Sequence, residues 1–361
     1  MSLPDGKANG SAEVVLGATR TVKPKGKSAT PKSRTNGKVP SNRPLPAPPK
    51  STPQKFTAGV FPGPKAELPE NFVQTVRDLE AELGKPVILF VQGDSIPQVG
   101  EFHPFLLDRF VQLKTALPKT GVAVLLESPG GSPDVAYSLA MLLRRRCGNF
   151  TAVVPRWAKS AATLFALGAE SIFLGEDGQL GPLDAQIPDM DKEEEWTSAL
   201  DEVGAVEALE ATTMEAAVGA LAYLQNKTGK KLNVLMPFAF DLVAKLHGPL
   251  FEKIDAVRYS RMSRVLAIAE QYATRLLQPK YSEQSARQIA QDLVKHYPSH
   301  GFVINREEAK RVGNRQGRVN GGLQIAKPSE KLEAIMSRLY GQLNGSITAI
   351  GPLEEVKNGA K

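Results

Sequence analysis

Short apolar runs alternate with segments of helical periodicity between residues 68 and 186. Buried strands are predicted at KPVILFVQGD, GVAVLLES, TAVVP and SIFLG, since each is a short apolar run that ends at Gly, Pro or polar residues. Apolar positions spaced for helices lie between them, over Glu70–Leu83 and over residues 101–117, 134–146 and 160–167. Strands that alternate with helices need crossover connections, so the pattern predicts an α/β fold with a parallel sheet covered by helices.

The pattern changes after residue 186, where helices follow one another without strands. They are predicted over residues 193–225, 232–246 (interrupted near Pro237), 250–277 and 283–295, with a short helix at 306–312 and another at 329–343. Four regions follow from this reading. They are a basic tail (1–65), an α/β core (66–192), a helical extension (193–313) and a polar C-terminal tail with one short helix (314–361).

The charge is concentrated in the N-terminal tail. Residues 1–55 carry eleven Lys or Arg against two acids, whereas the rest of the chain has 34 basic and 36 acidic residues. A segment so rich in Lys, Pro, Ser and Gly buries too little apolar surface to offset its ordering entropy, so we expect disorder. Two interpretations of the tail stay open: a solvated linker, or an arm that binds an anionic surface such as a membrane or nucleic acid.

Several classes of protein are disfavoured by what the sequence lacks. One cysteine, Cys147, allows no intrachain disulfide and suits a reducing cytoplasm. The N-terminus has no apolar leader, and the longest apolar run of about seven residues is far below the roughly 20 of a spanning helix. We therefore expect no transmembrane segment and a cytoplasmic protein, peripheral at a membrane at most. Metal-ligand spacings, phosphate loops and dinucleotide fingerprints are absent, so no metal or cofactor is predicted.

Candidate chemistry lies where predicted strands end. Gly130-Gly131 follows the second strand, and glycines there let the backbone turn its N–H groups toward a substrate. Ser160 follows the third strand at the start of a helix, so the free N–H of Ala161 lies beside its hydroxyl. An exposed hydroxyl beside two backbone donors is what acyl transfer requires. Ser160 is equally a favourable N-cap, and this structural interpretation stays open.

Several segments resemble one protease superfamily. The run 127–131 (ESPGG) resembles the oxyanion-hole loop of Clp proteases and signal peptide peptidase A type enzymes, and 158–162 (AKSAA) resembles their nucleophile segment. The segments 180–186 (LGPLDAQ) and 297–304 (YPSHGFVI), the latter followed by 307–309 (EEA), resemble the serine dehydrogenase proteinase family. The resemblance spans roughly residues 85–313. It implies a Clp/crotonase-like superhelical α/β domain, peptide hydrolysis and a homo-oligomer.

The same resemblance implies roles for individual residues. Ser160 would be the nucleophile, with Gly130, Gly131 and Ala161 forming the oxyanion hole. No histidine lies about 25 residues after the serine, where Clp proteases carry theirs. The Ser–Asp–His order of the resembling family implies Asp184 and His300 instead.

Alternatives to this assignment stay open. His296 lies one helical turn before His300 and is a possible substitute for it. A Ser–Lys dyad would need a lysine in the zone 201–210, which has none. Lys192 lies in an acidic run typical of a solvated helix start, and Lys159 is adjacent to the candidate serine, where neighbours on a helix do not face each other. Other classes are a non-catalytic scaffold that binds peptide or nucleic acid, and a crotonase-type acyl-CoA enzyme. The latter usually has a carboxylate where this chain has a serine.

Overall fold

The computed structural model describes residues 68–92, 102–113, 117–184, 186–188, 196–314, 322–345 and 347–353. The basic tail predicted over residues 1–65 lies outside the described residues, and so does the contact with an anionic surface that is predicted for it. So does Lys192.

Helices and strands alternate as predicted through the first part of the described chain, and helices dominate the second. In chain order the elements are α1 (Glu70–Leu83), β1 (Val87–Val91), α2 (Pro104–Leu113), β2 (Val122–Glu127), α3 (Pro133–Cys147), β3 (Phe150–Val154), β4 (Trp157–Ala158), α4 (Ala161–Leu167), β5 (Ser171–Leu174), β6 (Gln179–Leu180), β7 (Gln186–Pro188), β8 (Trp196–Ser198), α5 (Ala199–Thr228), α6 (Leu232–Phe251), α7 (Ala256–Leu277), α8 (Glu283–Lys295), α9 (Arg306–Ala309), α10 (Glu330–Gln342) and β9 (Ala349–Pro352).

The main sheet has the strand order β5-β3-β2-β1-β9, and its first four strands are parallel. Because side chains alternate between the faces of a strand, each apolar run supplies both faces. On one face Ile88, Phe90 and Val124 join a core built with α2, α3, α4, α7 and α8. On the other face, Leu89 and Leu125 pack against α1 and α10. The predicted α/β fold class, with parallel crossovers and added C-terminal helices, is confirmed.

The C-terminal segment differs from its prediction as a polar tail with one short helix. The helix is present as α10, but β9 then pairs antiparallel with β1 and closes that edge of the sheet. Ile350 of this strand is 6% exposed and belongs to the main core. The strand is short and contains Gly351 and Pro352, which disfavour strands, so its sequence carries no strand signal.

The helical extension also begins differently from its prediction. A short antiparallel pair, β7 with β8, precedes α5, and α5 starts at Ala199 rather than at residue 193. By length and composition α6 is apolar enough to cross a membrane, although the sequence analysis predicts no such segment. Pro237, Asp241 and Lys245 interrupt its apolar run, so a search for an unbroken run misses it.

We predict that Ile350→Ala lowers the free energy of unfolding by about 2–4 kcal/mol, because it removes a buried side chain from the sheet edge. Urea denaturation measures this change. Val111→Ala, at a position of α2 that is 40% exposed, is the control and should cost less than about 0.5 kcal/mol. Equal losses in the two variants would contradict the role given to β9.

Candidate active site

Ser160 has a backbone conformation that serine rarely adopts. Its φ is +50° and its ψ is −120°, values of the first central residue of a type II′ turn, which glycine usually occupies. In the described part of the chain every other residue with positive φ is a glycine. Ser160 directly precedes α4, yet its side chain makes no capping hydrogen bond. Its hydroxyl is therefore not engaged in the N-cap role that the sequence left open.

Backbone hydrogen bonds join the four segments that carry the candidate residues. Ser128 N–H donates to Trp157 O at 3.2 Å, and Lys159 N–H donates to Ser128 O at 2.9 Å. The strand β4 then pairs with β6, and Leu180 exchanges two hydrogen bonds with Ile304. The Gly-Gly loop, the Ser160 turn, the segment leading to Asp184 and the segment of His300 are thereby held in register.

The Gly130-Gly131 loop packs directly against the Ser160 turn. Both glycines have φ near +120°, in the region that favours glycine. A Cβ atom on Gly130 would lie 2.8 Å from Ser160 Cβ and 3.0 Å from Lys159 O, so no side chain fits there. Phe102 fixes the loop from outside, because its N–H donates to Gly130 O and its carbonyl accepts from Ser132 N–H.

Two backbone N–H groups near Ser160 have no hydrogen-bond partner among the described residues, and they are two of the predicted three donors. The Gly130 N–H donates to Ser128 Oγ at 3.1 Å, so it is not available to an oxyanion. The N–H of Gly131 makes no hydrogen bond within the described residues, and Ala161 is the first residue of α4, where N–H groups lack helical partners. Of the three predicted donors, Gly131 and Ala161 are therefore the two whose N–H groups have no partner among the described residues.

Asp184 and His300 lie next to each other, although 115 residues separate them in the chain. The distance from His300 Nδ1 to Asp184 Oδ2 is 3.9 Å, which is close but longer than a hydrogen bond. Asp184 is 1% exposed and accepts hydrogen bonds from Ser198 Oγ (2.7 Å) and Leu200 N–H (3.1 Å). Burial raises the pKa of its carboxyl group, and these two hydrogen bonds partly oppose that rise.

One cleft of about 720 Å³ brings the predicted residues together. Ser160, Gly131, Ala161 and His300 all line it, while Asp184 lies behind His300. Apolar side chains form much of its wall: Pro129, Pro133, Leu164, Leu183, Val265 and Ala269. The cleft thus combines a hydroxyl, an imidazole and two backbone donors within apolar walls, a combination suited to acyl transfer.

Lys159 also lines this cleft, but its amine is engaged elsewhere. Lys159 Nζ donates to Leu180 O at 3.1 Å, and its side chain lies against Gly181. Burial lowers the pKa of this amine. The contact with Leu180 connects β6 with the Ser160 turn and directs the amine toward a backbone carbonyl.

Cys147 is 1% exposed at the end of α3, and burial raises the pKa of its thiol. A buried thiol of this kind is unreactive and packs as a small apolar side chain.

Two serines that the sequence analysis did not select hold the site together. Ser128 Oγ accepts from Gly130 N–H and donates to Gln92 Oε1, which fixes the Gly-Gly loop. Ser198 Oγ donates to Asp184 and also accepts from Asp201 N–H as the N-cap of α5. The preference of serine for the N-cap position could have identified Ser198 as the residue before α5. The acidic run before Ser198 led instead to a predicted helix start at residue 193, which is too early.

No protein-family model matches the chain. It is 23% identical over 192 residues to the uncharacterized protein MJ0137 of Methanocaldococcus jannaschii, a match that covers 53% of this chain and 52% of that protein. It is 29% identical over 66 residues to the uncharacterized protein MJ1495 of the same organism, covering 18% of this chain and 23% of that protein. The chain therefore spans about half the length of the first relative and less than a quarter of the second.

Among solved structures, the chain is similar to a mutant of the membrane-bound stomatin-specific protease 1510-N in complex with a substrate peptide. The identity is 12% and the TM-score is 0.33, with 71% of this chain and 97% of that chain covered. It is also similar to a mutant ClpP1 from Listeria monocytogenes, with 15% identity, a TM-score of 0.21 and coverage of 47% and 92%.

We predict that Gly130→Ala abolishes reactivity of Ser160, because the added methyl group would collide with the Ser160 turn. Gly351→Ala is the matched control, since its φ of +129° imposes the same backbone strain while a Cβ atom there meets nothing within 4 Å. Both variants should lose about 1–2 kcal/mol of stability from strain. Reaction of Ser160 with a fluorophosphonate probe should be lost only in Gly130→Ala, and retention there would contradict the packing described.

Proposed function

We propose that this chain is a serine hydrolase that cleaves peptide bonds through an acyl-enzyme on Ser160. The observation that carries the proposal is the Ser160 turn. A serine is held at a positive φ, caps nothing with its side chain, and lines a cleft together with His300. Strained backbone at a non-glycine residue is concentrated at functional sites, because packing must maintain it against an energetic cost.

In the proposed reaction Ser160 Oγ attacks the carbonyl carbon of the substrate, and His300 accepts its proton. Because Nδ1 of His300 faces Asp184, Nε2 is the nitrogen left to act as the base. Asp184 would orient the ring and stabilise the imidazolium that forms. The oxyanion of the tetrahedral intermediate would be bound by the N–H groups of Gly131 and Ala161. His300 then protonates the leaving amine, and water releases the acyl group by the reverse sequence.

Peptides are the proposed substrate class because of the sequence motifs and the form of the cleft. The segments around residues 127–131 and 158–162 resemble those of Clp-type peptidases, and the cleft has apolar walls that suit side chains flanking a scissile bond. A Ser–Lys dyad is less well supported, since the amine of Lys159 is engaged with Leu180 O.

We predict that a fluorophosphonate probe labels the wild-type protein, that Ser160→Ala abolishes labelling, and that His300→Ala slows it by about 10²–10⁴-fold. Mass spectrometry of the labelled protein would locate the adduct on Ser160.

Two matched variants test the specificity of this result. Ser132→Ala removes another hydroxyl that lines the same cleft but caps α3, and His296→Ala removes the neighbouring histidine. Both should be labelled at the wild-type rate. A folded wild-type protein that stays unlabelled would instead favour a role in binding.

We predict that Asp184→Asn lowers kcat/KM toward a cleaved peptide by about 10³–10⁴-fold, the scale seen when a triad aspartate is replaced by asparagine. The protein should remain at least as stable as wild type at neutral pH. The asparagine keeps an acceptor for Leu200 N–H and places a donor beside Ser198 Oγ, while no charge is buried. Chemical denaturation and peptide kinetics on the same samples separate the two effects.

The raised pKa of Asp184 makes the difference in stability between Asp184→Asn and wild type depend on pH. Burial raises the pKa of Asp184 above its ordinary 3.8, so the folded state favours the protonated carboxyl. Below that ordinary value the carboxyl is protonated in both states, and its contribution to stability is fully present. As pH rises through the folded-state pKa the wild type loses this contribution, and Asp184→Asn does not. A stability difference that shrinks as pH rises would contradict this assignment.

A further inference from the structure

The outer part of α5 and the whole of α6 form an antiparallel two-helix arm, defined here as residues 207–251. In this arm four residues are buried: Ala217, Leu235, Ala239 and Val243. The helix α6 packs mainly on α5, and α5 contacts α7, whose Arg258 is paired with Glu202 just before the arm begins. An antiparallel helix pair with so little buried surface gains little stability from its own packing.

One flank of the arm carries an open apolar groove. A cavity of about 380 Å³ lies between α5 and α6, with Met214, Phe240 and Phe251 on its walls and Ala217 and Val243 at its base. Met214 is 69% exposed and Phe240 is 49% exposed. A contiguous apolar patch of this kind on the surface marks an interaction site.

The groove and its surroundings fit a protein better than a lipid bilayer. Asp241 and Lys245 form an ion pair of 2.6 Å in the middle of α6, with side chains 62% and 73% exposed. Immersing α6 in lipid would place this pair in hydrocarbon, where charged groups are costly. A protein partner lying in the groove leaves the pair in water.

Apart from the Asp241–Lys245 pair, the charges of the arm are separated along its length. Glu207, Glu210 and Glu215 are exposed toward its base, and three exposed lysines, Lys227, Lys230 and Lys231, surround its tip. None of the six forms an ion pair among the described residues. Glu210 and Lys227 are 17 positions apart, about 26 Å along a helix, which is beyond the screening length of about 8 Å at physiological salt. Within one chain the two groups therefore do not neutralise each other.

We propose that the partner of this groove is the arm of a second copy of the chain, docked antiparallel about a two-fold axis. In that arrangement the basic tip of each copy lies beside the acidic base of the other, and both contacts form at once because the interface is self-complementary. The groove of each copy, which lies toward the base of its arm, is then covered by the outer part of the other arm, where Val218, Leu232 and Met236 are exposed, as in a four-helix bundle. This inference is independent of the proposed catalytic activity.

The test uses charge reversal in the full-length chain. One variant reverses the tip (K227E, K230E and K231E) and another reverses the base (E207K, E210K and E215K). Analytical ultracentrifugation should show that wild type self-associates and that each variant alone associates about tenfold or more weakly. An equal mixture of the two variants should regain wild-type affinity, because both tip-to-base contacts are then attractive again. Recovery in the mixture also shows that both variants are folded.

Two further variants are compared with wild type by analytical ultracentrifugation. Arg287→Glu reverses an exposed charge on α8, away from the arm, and should leave association unchanged. Phe240→Asp should weaken association without being rescued by either reversed variant. The proposal is overturned by a wild type that stays monomeric, by reversed variants that associate like wild type, or by a mixture that gains nothing. Membrane binding by the basic tip is another contrary outcome. It would be shown if wild type but not the tip variant sediments with phosphatidylserine vesicles while the two proteins self-associate equally.

Discussion

The backbone of Ser160 is held at a φ that costs a serine about 1–3 kcal/mol, and the surrounding structure must supply that energy. Two constraints do so from either side of the turn. Before it, β4 is paired both with Ser128 and with β6. After it, Thr163 Oγ1 donates to Ala158 O and accepts from Gly181 N–H, which closes the turn onto β6. With these contacts formed on both sides of the turn, Ser160 lines the cleft.

A cluster of aromatic rings supports this turn from below. Phe165 of α4 packs against Phe90, Phe102 and Phe150, with ring centroids 4.9–5.5 Å apart. Phe102 is also the residue whose backbone holds the Gly-Gly loop. One buried cluster therefore sets the distance between α4, which begins directly after Ser160, and the Gly-Gly loop. Preorganised donors of this kind need no rearrangement during a reaction.

The positions of Gly131 and Ser160 could be predicted from the sequence, because both follow buried strands, whereas Asp184 and His300 rest on the family resemblance alone. The apolar runs locate β1, β2, β3 and β5, and chain order then places Gly131 and Ser160 at neighbouring strand ends. The engagement of the Gly130 N–H by Ser128 could not be predicted, since the direction of one amide depends on tertiary contacts. The strand β9 could not be predicted either. Its residues have low strand propensity, and it forms because the edge of β1 offers backbone groups for pairing.

The pairing of Asp184 with His300 depends on the helical extension as much as on the α/β core. Both hydrogen bonds to the Asp184 carboxylate come from the first residues of this extension, Ser198 and Leu200. The same region is anchored by Ala199 and Val203, which are buried in the main core. Without Ser198 and Leu200, the Asp184 carboxyl would lose the two hydrogen bonds that oppose the rise of its pKa by burial, and the neutral acid would be favoured further. The extension therefore completes the charge arrangement on which an imidazole base would depend. The remaining 3.9 Å to His300 Nδ1 needs to shorten by only about 1 Å to become a hydrogen bond, a tightening typical of catalytic groups when substrate binds.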